Sequence, residues 1–134
     1  MNALRKPILC LDWDGVIHAY TSGWKGAEVI PDPPVDGAMK FIWDAAESFR
    51  IAIFSTRSTV DGGIPAMEVY LRHHFNKFWG NHATQVEINE KLDQIEWPTK
   101  KPPAFLTIDD RAICFDGTWP QIEDLKAFTP WNKK

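Results

Sequence analysis

Three short apolar runs along this chain each end abruptly in polar or charged residues. Ile8-Leu9-Cys10-Leu11 runs into Asp12-Trp13-Asp14-Gly15, Ile51-Ala52-Ile53-Phe54 into Ser55-Thr56-Arg57, and Ala104-Phe105-Leu106-Thr107-Ile108 into Asp109-Asp110-Arg111. Short continuous apolar runs bounded by turn residues read as buried strands, which predicts strands over 7–12, 51–55 and 104–108. Helical spacing lies between them. Ala38, Phe41, Ile42, Ala45 and Phe49 recur every three to four residues and predict an amphipathic helix to about Ser48. Pro34 opens it, at a position where its missing N–H costs nothing. Ile64, Met67, Leu71 and Phe75 predict a second helix over 64–76, after a loop at 58–63 that holds Gly62-Gly63.

The remaining segments have weaker patterns. Residues 15–33 carry Gly15, Gly23, Gly26, Pro31 and Pro33 without a period and predict an ordered loop or short hairpin. Thr84-Gln85-Val86-Glu87-Ile88 alternates and predicts a short strand, with a helical turn over Asn89 to Ile95. Pro98, Pro102 and Pro103 then keep the chain extended. Ile113-Cys114-Phe115 predicts a further strand, Asp116-Gly117 a turn, and 120–127 a helix that closes the fold. Strands alternating with helices predict an α/β architecture, a central parallel sheet with helices on both faces.

Size and composition narrow the class. The 134 residues suit one domain with one core, taken as 1–134. No segment approaches the ~20 apolar residues that span a bilayer. Met1 to Pro7 runs straight into the first strand and lacks the architecture of a signal peptide. Cys10 and Cys114 sit in apolar runs and read as buried free thiols rather than a disulfide framework. The expected setting is therefore cytoplasmic, with no membrane partner. A net charge of −3 argues against a strongly basic nucleic-acid binder. Of the seven tryptophans, Trp13, Trp43, Trp79 and Trp97 lie in or beside apolar segments and read as packing residues, whereas Trp24, Trp119 and Trp131 lie near Gly or Pro and read as candidates for an open substrate face.

The ends of the strands hold the candidate chemistry, because ligand sites of open α/β sheets lie there. Ionised carboxylates leaving an apolar strand are costly unless a divalent cation, Arg or Lys compensates them. Asp12 and Asp14, one residue apart, share a face in extended chain, and Gly15 lets the chain turn directly after them. Ser55 reads as a phosphate donor or as a cap on the next segment, with Thr56 its rival for the contact. Arg57 reads either as a bidentate phosphate clamp or as a structural ion pair, and Arg111 as a structural partner of nearby acids. His18, four residues past Asp14, is a candidate to reach the site from the loop. His73 and His74 read as surface residues.

Taken together, these motifs resemble the haloacid dehalogenase-like (HAD) superfamily of aspartate-nucleophile phosphatases. Asp12-Trp13-Asp14-Gly15-Val16 matches its first motif, Ser55 its second, Lys101 its third, and Asp109-Asp110 its fourth, in family order over residues 8–116. The resemblance implies a three-layer Rossmann-like fold and a Mg2+-dependent phosphomonoester hydrolase. Asp12 would be the nucleophile that forms an aspartyl-phosphate. Asp14 would be the general acid and base. Ser55, Thr56, Arg57 and Lys101 would hold the phosphate. Asp12, Asp109, Asp110 and the backbone carbonyl of Asp14 would face the metal, Asp110 directly and Asp109 through water. Lys100 and Lys91 compete with Lys101; the Lys-Pro-Pro that leads into the fourth-motif strand favours Lys101. A carboxylate at Asp14 favours phosphoryl chemistry over carbon–halogen cleavage, whose leaving group needs no proton.

Val16 to Pro33 is only 18 residues and Ser58 to Lys100 is 43, so no inserted cap domain is expected and the site should be open. An open site suits a large substrate. Ser55–Arg57 and Asp109–Arg111 are similar to polynucleotide 3′-phosphatase domains, which favours a phosphorylated nucleic-acid end. A sugar phosphate or nucleotide is the alternative, with a dimer neighbour as lid, and a catalytically inactive binding module is the alternative of another class. A receiver domain would carry its acidic pair on the first strand, and a Toprim module would need an earlier Glu; neither order occurs here.

Overall fold

The computed structural model describes residues 6–133. Met1 to Arg5, most of the segment read as lacking a signal peptide, lies outside the described residues. The fold is mixed α/β, built on a small all-parallel sheet. Strand β1 is Ile8–Leu11, β2 is Arg50–Ile53 and β3 is Leu106–Ile108, in the order β2-β1-β3. The register pairs Leu9 with Ile51 and Leu106, and Leu11 with Ile53 and Ile108. Glu96 extends the sheet past β2 through one parallel bridge to Ala52.

The helices follow the apolar period with shifted ends. Helix α1 spans Ala38–Ala45, shorter than expected, because Gly37 caps it in a left-handed conformation and Val35 is held by a backbone bond to Ile17. Helix α2 spans Gly63–Trp79, one turn longer than the apolar stripe implied. Leu9, Leu11, Ile51 and Ile53 share one core with Met39 and Ile42 of α1, Met67, Leu71 and Phe75 of α2, and Ile88. Burying each such side chain is worth about 1.5–3 kcal/mol, so this layer holds the sheet in place. No helix of the described residues is long and apolar enough to cross a membrane.

Five expectations are corrected. The alternating segment from Thr84 is no strand: it opens helix α3, Gln85–Asp93. Thr84 accepts from the Glu87 N–H while the Glu87 carboxylate accepts from the Thr84 N–H, a capping box that commits the segment to helix. Strand β3 is not buried, with Leu106 53% and Ile108 37% exposed. It is an edge strand, and the predicted strand at Ile113–Phe115 that would have flanked it has no regular structure. The last helix, α4 at Ile122–Lys126, buries no residue and closes nothing. Cys114 is accordingly exposed, while Cys10 is buried as expected; both are free.

The tryptophans divide as the sequence suggests. Trp13 is fully buried, Trp43, Trp79 and Trp97 pack against the core, and Trp24, Trp119 and Trp131 are exposed.

Candidate active site

The parallel register brings the ends of β1 and β3 side by side. The Asp12 N–H donates to the Ile108 carbonyl at 3.0 Å, so the chain leaves both strands at the same level. Alternation then sorts the side chains. Trp13 turns inward, edge-on to Tyr70 with ring centres 5.2 Å apart. Asp12 and Asp14 turn outward into a cavity of about 390 Å³, lined also by Tyr20, Trp24, Thr56, Asp110 and Arg111. Gly15 makes the turn with φ at +84°, a conformation that disfavours any side chain.

Asp12, Asp109 and Asp110 form one cluster, each offering an oxygen within 4.8 Å of the others. Burial and the repulsion of Asp109 and Asp110 push the Asp12 carboxyl up to about 7. Burial also raises Asp110, whose side chain is only 4% exposed and shares a hydrogen bond with Asp12. The guanidinium nearest these crowded carboxyls, that of Arg111, lies 3.9 Å from Asp110. An all-oxygen donor set of this kind fits a hard divalent cation such as Mg2+. Gly15 is part of the cradle, since a Cβ there would meet Asp110 Oδ2 at 2.1 Å.

Asp14 stands apart from this cluster. Arg57 donates to it from Nε at 3.0 Å and from Nη2 at 3.1 Å. His18 is fully buried. The Asp32 N–H donates to His18 Nε2 at 3.0 Å, so Nε2 is the acceptor and the proton sits on Nδ1. That Nδ1–H donates to Asp14 Oδ1 at 2.8 Å. Burial alone would raise the Asp14 carboxyl, but the bonds from His18 and Arg57, with the charge of Arg57, together hold it below the usual range. His18 therefore reaches the site from the loop, as a positioning residue.

Arg57 does not face a substrate. Its side chain is fully buried, and besides Asp14 it donates from Nη1 to the carbonyls of Gly26, Ala27 and Val29 at 2.9, 2.9 and 3.2 Å. Of the two readings of Arg57, the structure has the ion pair and not the phosphate clamp: these donors are spent on Asp14 and on pinning the 15–33 loop. Ser55 is likewise engaged. Its Oγ accepts from the Arg57 N–H at 2.9 Å, and Ser58 returns a bond to the Ser55 N–H, a capping box on the short helical turn Thr56–Thr59. Thr56, not Ser55, lines the cavity.

The lysines separate clearly. Lys91 bonds to Glu47 and to the Trp43 carbonyl beside a second cavity of about 290 Å³, which lies at the opposite strand ends among Lys6, Arg50 and Phe75. That removes it from the candidates. Lys101 is exposed, makes no hydrogen bond or ion pair among the described residues, and lies near enough to the strand ends to draw on the Cys10 thiol. Lys100 is exposed, with no such partner among the described residues.

Trp24, read from the sequence as a candidate for an open substrate face, lines the cavity, and Tyr20 joins it as a wall residue that the sequence reading did not mark. Tyr20 is the only non-glycine among the described residues with positive φ, at 60°, a conformation costing of order 1–3 kcal/mol. A Tyr-Thr-Ser-Gly turn was its only local signal. Trp24 lies over Arg57, with the guanidinium carbon 4.7 Å from the ring centre.

No family model, curated protein or solved structure matches this chain.

Proposed function

We propose that this chain is a phosphomonoester hydrolase of the HAD type: a small three-layer, Rossmann-like domain without a cap, helices on both sheet faces, working in the cytoplasm. One observation carries this reading. Asp12 and Asp14 line a single open cavity with Thr56, while Asp12 also belongs to the Asp109–Asp110 cluster.

Mg2+ held by Asp12, Asp109 and Asp110 would neutralise the charge that otherwise keeps a carboxylate from approaching a phosphate dianion. Asp12 Oδ attacks phosphorus, the ester P–O bond breaks, and the leaving oxygen takes a proton from Asp14. Water then attacks the aspartyl-phosphate, giving up its proton to Asp14; the P–O bond to Asp12 breaks and inorganic phosphate leaves. Thr56 and Lys101 hold the phosphate oxygens through both steps.

The geometry adds a condition on Asp14. Arg57 and His18 favour its ionised form, which suits a base. Protonating a leaving group is its harder task. Substrates with poor, alkoxide leaving groups therefore depend on Asp14 far more than aryl phosphates do.

The test is hydrolysis of an aryl phosphate and an alkyl phosphate, with Mg2+ and with chelator. Asp12→Asn abolishes both, since an amide is no nucleophile here. Asp14→Asn slows the alkyl ester by ~10²–10⁴-fold and the aryl ester less. Turnover that survives chelation or Asp12→Asn refutes the proposal. Cation binding without any turnover assigns a binding module instead.

A further inference from the structure

Trp24 is 48% exposed and forms part of the same wall as Asp12, Asp14 and Thr56. One side of its indole rests on the Arg57 guanidinium. Arg57 itself is immobilised, buried and bonded to Asp14 and to three backbone carbonyls. The indole is thus braced from behind, with the rest of its surface open toward solvent and cavity. Tyr20, fixed by its left-handed backbone and edge-on to His18 at 5.9 Å, adds a second aromatic group to the wall.

With a cation on Asp12, Asp109 and Asp110, the phosphate group would be held alike in every phosphomonoester. Discrimination between substrates has to come from the non-reacting part, and beside the acids the cavity lining offers Tyr20 and Trp24. A braced aromatic face offers stacking to a flat ring system. A cavity of about 390 Å³ is within the range of small-ligand sites.

We propose that this site takes a nucleoside monophosphate, free or as the terminal residue of a strand, and that Trp24 is the platform on which its base stacks. This rests on the reading of the cavity as a phosphomonoester site. A sugar phosphate without a base leaves the platform bare and binds more weakly.

The experiment measures calorimetric binding to the Asp12→Asn protein in Mg2+, which cannot turn the ligand over. Adenosine monophosphate binds tighter than ribose 5-phosphate by about 5- to 150-fold, the worth of one stacked base. Trp24→Leu keeps an apolar cover on Arg57 but removes the π face, and collapses that ratio toward one. Trp24→Phe restores most of it, which a merely structural role would not produce. A 3′-phosphorylated oligonucleotide that binds tighter than the mononucleotide assigns the strand end as source; equal binding assigns the free nucleotide. Equal affinity for ribose 5-phosphate and the mononucleotide, or a ratio that survives Trp24→Leu, overturns the proposal. If the wild-type chain hydrolyses no phosphomonoester yet keeps the ratio, the catalytic reading falls and the platform stands. If it hydrolyses them without base preference, the reverse holds.

Discussion

A Cβ on Gly15 would lie 2.1 Å from Asp110 Oδ2, so the turn after Asp14 has room for Asp110 only because residue 15 has no side chain. Gly15 also sits at φ +84°. Gly15→Ala therefore meets two penalties, a left-handed backbone and a displaced carboxylate. The expected result is a stability loss of about 1–3 kcal/mol and at least about tenfold weaker Mg2+ binding. Denaturant unfolding and calorimetry check the two separately; wild-type cation affinity in the variant would show that Asp110 is not a ligand.

Arg57 joins Asp14 to the loop beside it. Arg57→Met strands Asp14 as a buried carboxylate and frees the carbonyls of Gly26, Ala27 and Val29. Breaking such a pair costs about 3–5 kcal/mol. Arg57→Lys keeps the charge but lacks the planar fork that serves a carboxylate and three carbonyls at once, so it falls between. Urea midpoints for the three proteins should rank Arg, Lys, Met; a Met variant as stable as wild type would contradict the pinning role.

Ser55 and Thr56 are adjacent but do different work. Ser55→Ala loses a cap and is expected to cost about 1 kcal/mol of stability with modest change in turnover. Thr56→Val is expected to leave stability near wild type and to weaken phosphate handling by about 10- to 100-fold, the worth of a hydrogen bond to a charged group. Steady-state kinetics beside thermal melts decide it, and the opposite pattern would return the phosphate contact to Ser55.

The acidic cluster sets a pH dependence with a definite sign. Asp12 is raised to about 7 in the fold, from 3.8 when unperturbed. Between those values the folded chain binds more protons than the unfolded one, so stability falls as pH rises. The contribution is complete below about pH 4 and gone above about pH 7. Asp14, shifted the other way, loses its contribution only in stronger acid, outside this window. Chelated protein should melt at a lower temperature at about pH 8 than at about pH 5, and saturating Mg2+ should close most of the gap. A metal-free melting point that rises over that interval would contradict the upward shift of Asp12.

Much of this site was readable before any coordinates. Asp12, Asp14 and the Asp109–Asp110 pair stand out because alternation and strand ends are local properties, and parallel pairing brings strand ends together. The role of Arg57 was not readable in that way. It depends on carbonyls of Gly26 to Val29, about thirty residues upstream, and no local pattern marks a backbone oxygen as a partner. The exposure of β3 was hidden for the same reason, since an apolar strand is buried only if something lies beside it. The helix at Gln85–Asp93 is different: the Thr84 and Glu87 capping pair is legible in the sequence, and it outweighs the two-residue alternation of the same segment.

Near the end of the chain, the Trp131 indole N–H donates to the carbonyl of Gly15 at 2.7 Å. That carbonyl belongs to the turn that follows Asp14, against which Asp110 rests. The molecule thus carries its own spectroscopic reporter. In a nitrogen–proton correlation spectrum each of the seven tryptophans gives one indole signal, and the one lost in Trp131→Phe is bonded directly to the turn. Its movement during a Mg2+ titration would follow cation loading in the intact chain, with no substrate or turnover required.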